Sequence, residues 1–166
     1  MISFFLALAV AAQTADSVRQ THYEQVLNNA TDALDRLRGA AAGFRTDLPT
    51  ASPNLVLGRA ERVGGTCRDA GAAVAGVDSL LGEGLYVSRA QREQNELKNG
   101  GAALRRELAE CERQWRVPSP PTYAAADSLR AWGPYRTAQL DASLRRYVAV
   151  LRRFMKRAGL RKPAVS

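Results

Sequence analysis

Apolar residues recur along this chain at alternating spacings of four and three, with polar residues filling the positions between. Tyr23, Leu27, Ala30, Leu34, Leu37, Ala41, Phe44 and Leu48 make the first series. A 3.6-residue period gathers such positions onto one stripe, so the series predicts an amphipathic helix with a single buried seam. Thr50-Ala51-Ser52-Pro53 interrupts it, with Ser52 placed to cap a second helix and Pro53 suited to that helix's first position. The second seam is Val56, Ala60, Val63, Cys67, Ala70, Val74, Val77 and Leu81, and it stops at the glycines of Leu-Leu-Gly-Glu-Gly-Leu.

Ser88-Arg89-Ala90-Gln91 has the form of a capping box and predicts the start of a third helix. Its seam is Ala90, Gln94, Leu97, Gly101, Leu104, Leu108, Cys111 and Trp115, with a bend expected at Asn99-Gly100-Gly101. Val-Pro-Ser-Pro-Pro ends that helix. A fourth begins near Tyr123, is expected to kink at Gly133-Pro134, and carries Leu140, Leu144, Tyr147, Leu151, Phe154 and Ala158 on one stripe. The first three helices come to about 29 to 31 residues, or roughly 45 Å each, and short connections make sequential helices antiparallel neighbours. The predicted fold is therefore all-α: an antiparallel up-down-up-down four-helix bundle with a Pro-kinked last helix. Composition agrees, because Ala, Leu and Val supply most of the apolar residues and aromatics are only 7%.

The second helix is unusual in carrying Gly58, Gly64, Gly65, Gly71 and Gly76, each at a cost of up to about 1 kcal/mol in helix propensity. Close backbone approach to a neighbouring helix is the expected compensation; a groove for a flat ligand is the alternative.

Ahead of the first seam stands Met-Ile-Ser-Phe-Phe-Leu-Ala-Leu-Ala-Val-Ala-Ala, apolar from Ile2 to Ala12 except at Ser3. It lacks the polar positions of an amphipathic helix and is short of the roughly 20 residues that span a bilayer. Small residues at its end suit signal peptidase, so residues 1–12 are read as a signal peptide, although no Lys or Arg precedes the apolar run. Residues 13–166 then form a single domain, and the expected location is periplasmic or secreted.

Export changes the reading of the two cysteines. Cys67 and Cys111 fall on the seams of sequential helices, and an oxidising compartment favours a disulfide between them. One obstacle is register: with the connection at about residues 82–88, Cys67 and Cys111 stand about eight residues out of step, or roughly 12 Å along the axis. The absence of a Cys-x-x-Cys spacing argues against a redox pair.

Candidate chemistry is otherwise sparse. His22 is the sole histidine, and with Met155 it makes a thin basis for haem ligation; neither Cys-x-x-Cys-His nor Glu-x-x-His occurs. Acidic pairs such as Asp32 and Asp35, or Glu107 and Glu110, have arginine neighbours at helical spacing and read as solvated ion pairs. No nucleophile elbow, phosphate-binding loop or dinucleotide-binding turn is present. The sequence thus points away from an enzyme and calls for no cofactor or metal.

Charge distribution is more informative. Of 24 Lys and Arg, eight lie from Arg145 onward, where none of the 16 Asp and Glu fall, so the net +8 belongs to the end of the chain. Arg145, Arg146, Arg152, Arg153, Lys156 and Arg157 occupy an arc opposite the apolar stripe, making a basic amphipathic helix. Such a face suits contact with an anionic envelope surface or an acidic protein; nucleic acid is not expected, because no aromatic residue interrupts the basic face. The reading that results is an exported, non-enzymatic binding or structural module of the cell envelope. The alternative is a cofactor-carrying, haem-type periplasmic bundle with the glycine-rich helix lining its pocket.

Overall fold

In a computed structural model of the protein, the backbone is described for residues 2–83 and 88–160, and side chains from residue 18 onward within those spans. Four helices are present: α1 (Ile2–Arg45), α2 (Pro53–Gly82), α3 (Gln91–Gln114) and α4 (Tyr123–Ala158). The leader assigned to residues 1–12 falls largely outside this description, since Met1 is not described and residues 2–17 contribute only the helical backbone of α1. Among the described residues no helix is long and apolar enough to cross a membrane.

Local chemistry accounts for most helix ends. Asp47 takes a left-handed φ of 51°, and its carbonyl accepts from the amides of Thr50 and Ala51, folding the chain back after α1. The Ser52 hydroxyl accepts from the Leu55 amide and Pro53 opens α2, as the sequence predicts. Thr122 caps α4 in the same way, through the Ala125 amide at 3.2 Å. At the other end Gly159 adopts φ 72°, and the Leu160 amide reaches back to the Met155 carbonyl, closing the helix with a left-handed glycine.

The start of α3 is different. Ser88–Ala90 forms a 3-10 turn, and the capping residue is Ala90, with no side-chain cap. The expected capping box is therefore not formed, and α3 is shorter than predicted at 24 residues. It is also unbroken across Gly100-Gly101, where a bend was expected. Likewise α4 passes Pro134 as one helix; what Pro134 lacks is the amide that would bond one turn back.

Residue pairs fix the antiparallel order. Gly76 meets Val26 across α1 and α2, Gly71 meets Leu108 across α2 and α3, Gly100 meets Tyr147 across α3 and α4, and Asp35 meets Arg152 across α4 and α1. The expected up-down-up-down bundle is thus the observed one. Among the described residues the backbones of α2 and α4 also approach each other through the centre, whereas those of α1 and α3 stay apart. Side-chain size explains the asymmetry, because α2 contributes mostly Val, Ala and Cys to its seam, while Phe44 of α1 and Trp115 at the end of α3 stand between those two helices.

Nearly every seam position read from the sequence is buried, from Leu27 on α1 to Phe154 on α4; Tyr23 and Ala158 are half-buried at the open end. Phe44, Trp115 and Trp132 fill the opposite end, with ring centroids 4.6 and 4.9 Å apart in edge-to-face contact. Gly133 makes room for them: a Cβ there would lie 2.5 Å from Phe44 and 3.1 Å from Trp115.

Candidate functional site

The disulfide forms, with the Cα atoms of Cys67 and Cys111 6.0 Å apart. Its register obstacle disappears because the pairing is centred on residue 89, at the 3-10 turn, and not on the glycines after Leu81. About that centre Gly82 stands level with Glu96, and the first turn and a half of α3 extends past α2. That overhang packs on α4, where Glu93 and Glu96 receive Arg157 and Arg153.

Glycine behaves differently from expectation on α2. Gly64 does allow close approach, since a Cβ there would sit 3.3 Å from the Trp115 carbonyl oxygen. Gly71 and Gly76 would meet ordinary contacts, and Gly58 and Gly65 face open space. Besides Gly133, the position with no room for a side chain is Gly101 on α3, into which Asp78 of α2 is pressed.

Asp78 belongs to an interior polar cluster that the sequence reading missed. Its Oδ2 accepts from Arg105 Nε at 2.8 Å, while its Oδ1 and the nearby Tyr147 hydroxyl are buried without a hydrogen-bond partner. Burial raises the Asp78 carboxyl above its ordinary range, with Arg105 opposing. Burial also raises the Tyr147 phenol, and the charge of Asp78 adds to the effect. The one sequence signal was Gly101 itself, a residue without a side chain at a seam position.

The basic residues of α4 divide between two flanks. Towards α1, Arg145 pairs with Asp141, and Arg152 Nη2 reaches Asp35 at 2.5 Å. Arg38 of α1 bonds the same Asp141 through Nε at 3.1 Å. The hydrogen bond from Arg145, aided by that from Arg38, outweighs burial and holds the Asp141 carboxyl below the usual range. Towards α3, Arg153 pairs with Glu96 at 3.2 Å and Arg157 with buried Glu93 at 3.0 Å. Glu96 is likewise held low, first by Arg92 and then by Arg153.

Four of the six predicted contact residues are therefore paired with acids, Arg145 within α4 and the other three across to α1 or α3. Even so, their side chains remain 53% to 66% exposed. Arg146 and Lys156 take no part in an ion pair among the described residues and are exposed. Arg146 stands over a groove of ≈ 530 Å³ between α3 and α4, floored by Leu104, Tyr147 and Val150. Arg161 and Lys162, which add to the sequence charge, lie outside the described residues.

His22 is exposed on α1 with its ring tilted against Tyr23, and Met155 is buried in the core. Among the described residues no three His, Cys, Asp or Glu side chains converge as metal ligands. No family model, curated protein or solved structure matches the chain.

Proposed function

We propose that the protein is an exported, non-enzymatic helical-bundle module, periplasmic or secreted, that contacts an anionic envelope surface or an acidic protein through the outer face of α4. One observation carries this reading: the arginines of α4 stay more than half exposed while paired, so their charge is presented to solvent as well as to α1 and α3. Exposed pairs of this kind contribute at most about 1 kcal/mol to stability and are readily exchanged for other anions. Export is supported by the disulfide, which an oxidising compartment favours.

The test is co-sedimentation with phosphatidylglycerol-containing and pure phosphatidylcholine vesicles over a salt series. Arg146→Gln/Lys156→Gln serves as the variant, because neither residue holds an ion pair that the fold uses. Wild type should bind only the anionic vesicles and weaken with salt, at about 1 kcal/mol per basic residue engaged, and the variant should bind less. Equal sedimentation of both proteins with both vesicles would refute the contact face. Intact mass from the producing organism should lack about eleven or twelve N-terminal residues. A full-length cytoplasmic product would refute export.

A further inference from the structure

On the far side of α1 from these pairs, α1 and α2 enclose an open groove of ≈ 550 Å³. Arg36 stands on its α1 wall and Arg59 and Arg62 on its α2 wall, while no carboxylate lines it. Arg59 and Arg62 are three residues apart, so their stems rise from one face of α2 with roughly 5 to 6 Å between Cβ atoms. Arg59 is steadied at the mouth, where its Nη1 donates to the Thr46 carbonyl. Arg36 and Arg62 have no ion pair among the described residues, in contrast to Arg38, which faces the opposite way and is held by Asp35 and Asp141.

The groove owes its depth to Gly39 and Gly43, at each of which a Cβ would meet nothing within 4 Å. Its hydroxyls are already committed: Thr66 donates to the carbonyls of Arg62 and Val63, and Thr46 to that of Ala42. The helical amides are bonded within their helices. The donors left for a ligand are guanidinium groups on two opposed walls, with no negative charge between them.

We infer that this groove binds a phosphomonoester or pyrophosphate group, held between Arg36 on α1 and Arg59 and Arg62 on α2. Guanidinium presents paired N–H donors that match two phosphate oxygens, and arginines on opposite walls match a dianion better than a carboxylate. The glycine floor admits the group to the level of the helix backbones. This site is separate from the face of α4, so either can fail without the other.

Titration calorimetry of the full chain with sodium pyrophosphate at low ionic strength tests it. Wild type should bind one equivalent saturably, and Arg36→Gln/Arg62→Gln should weaken binding by about tenfold or more. Gly43→Leu fills the groove, so it should abolish binding while the melting temperature holds or rises, because leucine is the better helix former. Arg146→Gln/Lys156→Gln should bind as wild type does. Vesicles containing phosphatidic acid, tested in that α4 variant, separate the sources of the group: capture of the vesicles with no response to pyrophosphate identifies a lipid headgroup, and the reverse identifies a soluble ester. Absence of binding in both arms overturns the proposal, as does binding that survives both Arg36→Gln/Arg62→Gln and Gly43→Leu.

Discussion

Reducing the Cys67–Cys111 bond should cost this bundle about a third of the stability usual for a domain. The bond closes a loop with a sequence separation of 44. For a loop of that size the chain-entropy relation gives about 13 cal/mol/K, or about 4 kcal/mol at 25 °C, as the constraint lifted from the unfolded chain. At about 2 to 4 °C per kcal/mol for a domain of this length, the melting temperature should fall by about 8 to 16 °C. The comparison is oxidised against reduced wild type, followed by far-ultraviolet circular dichroism, because both states keep the buried sulfurs in the core. Cys67→Ala/Cys111→Ala should fall slightly further, since it also removes those sulfurs. In urea the reduced protein should show a larger denaturant slope, as its unfolded chain expands once the link is gone. Two freely alkylated thiols in unreduced protein would refute the bond, and a melting shift under about 4 °C would refute the entropic account.

Gly133→Ala should destabilise by about 1 to 3 kcal/mol, because the added methyl runs into the interlocked rings of Phe44 and Trp115. Gly65→Ala, with open space above it, should instead stabilise by up to about 1 kcal/mol; equal melting temperatures for the two variants would overturn the packing argument. The two interior aspartates should respond to acid with opposite signs. Asp141 is held low, so its contribution is full above the unfolded carboxyl range near pH 4 and is lost as pH falls through its folded value. Asp141→Asn should therefore be less stable than wild type at neutral pH and converge with it in acid. Asp78 is held high, so its ionised form weakens the fold; Asp78→Asn should be more stable at neutral pH, with the gain vanishing in acid. Urea midpoints across a pH series would expose parallel behaviour of the two variants, which the assignments forbid.

The seams were legible because each is a local pattern: residues within one helix announce their shared face by spacing alone. Cys67 and Cys111 were legible as partners for the same reason, since both stand on seams. Their register was not, because counting residues in a connection does not reveal where the pairing of two helices is centred, and here the centre falls at the 3-10 turn of Ser88–Ala90. Ser88 looked like a cap because the capping pattern is short and the geometry that would honour it lies in the turn. The ion pairs of α4 were hidden by distance along the chain: Arg152 and Asp35 are 117 residues apart. What read as an unbroken basic arc is therefore two flanks, each facing acids supplied by another helix. Arg36, Arg59 and Arg62 were hidden in a similar way, because only the α1–α2 register sets them around one groove.

The fastening of the bundle is unequal from end to end. Towards the end holding the α1–α2 and α3–α4 connections, three aromatic rings in edge-to-face contact lock the helices together, and the disulfide ties the middle of α2 to α3, by contacts that dissolved ions do not screen. At the other, Leu27, Ala90, Leu97, Leu151 and Phe154 continue the buried core, and Glu93 with Arg157 and Glu96 with Arg153 add ion pairs between the overhang of α3 and α4. Salt, or a competing anion, weakens those pairs without touching the apolar contacts beneath them. Any acidic partner that engaged α4 would compete for those same arginines, and so would loosen the charged ties between α3 and α4 while leaving the core beneath them in place.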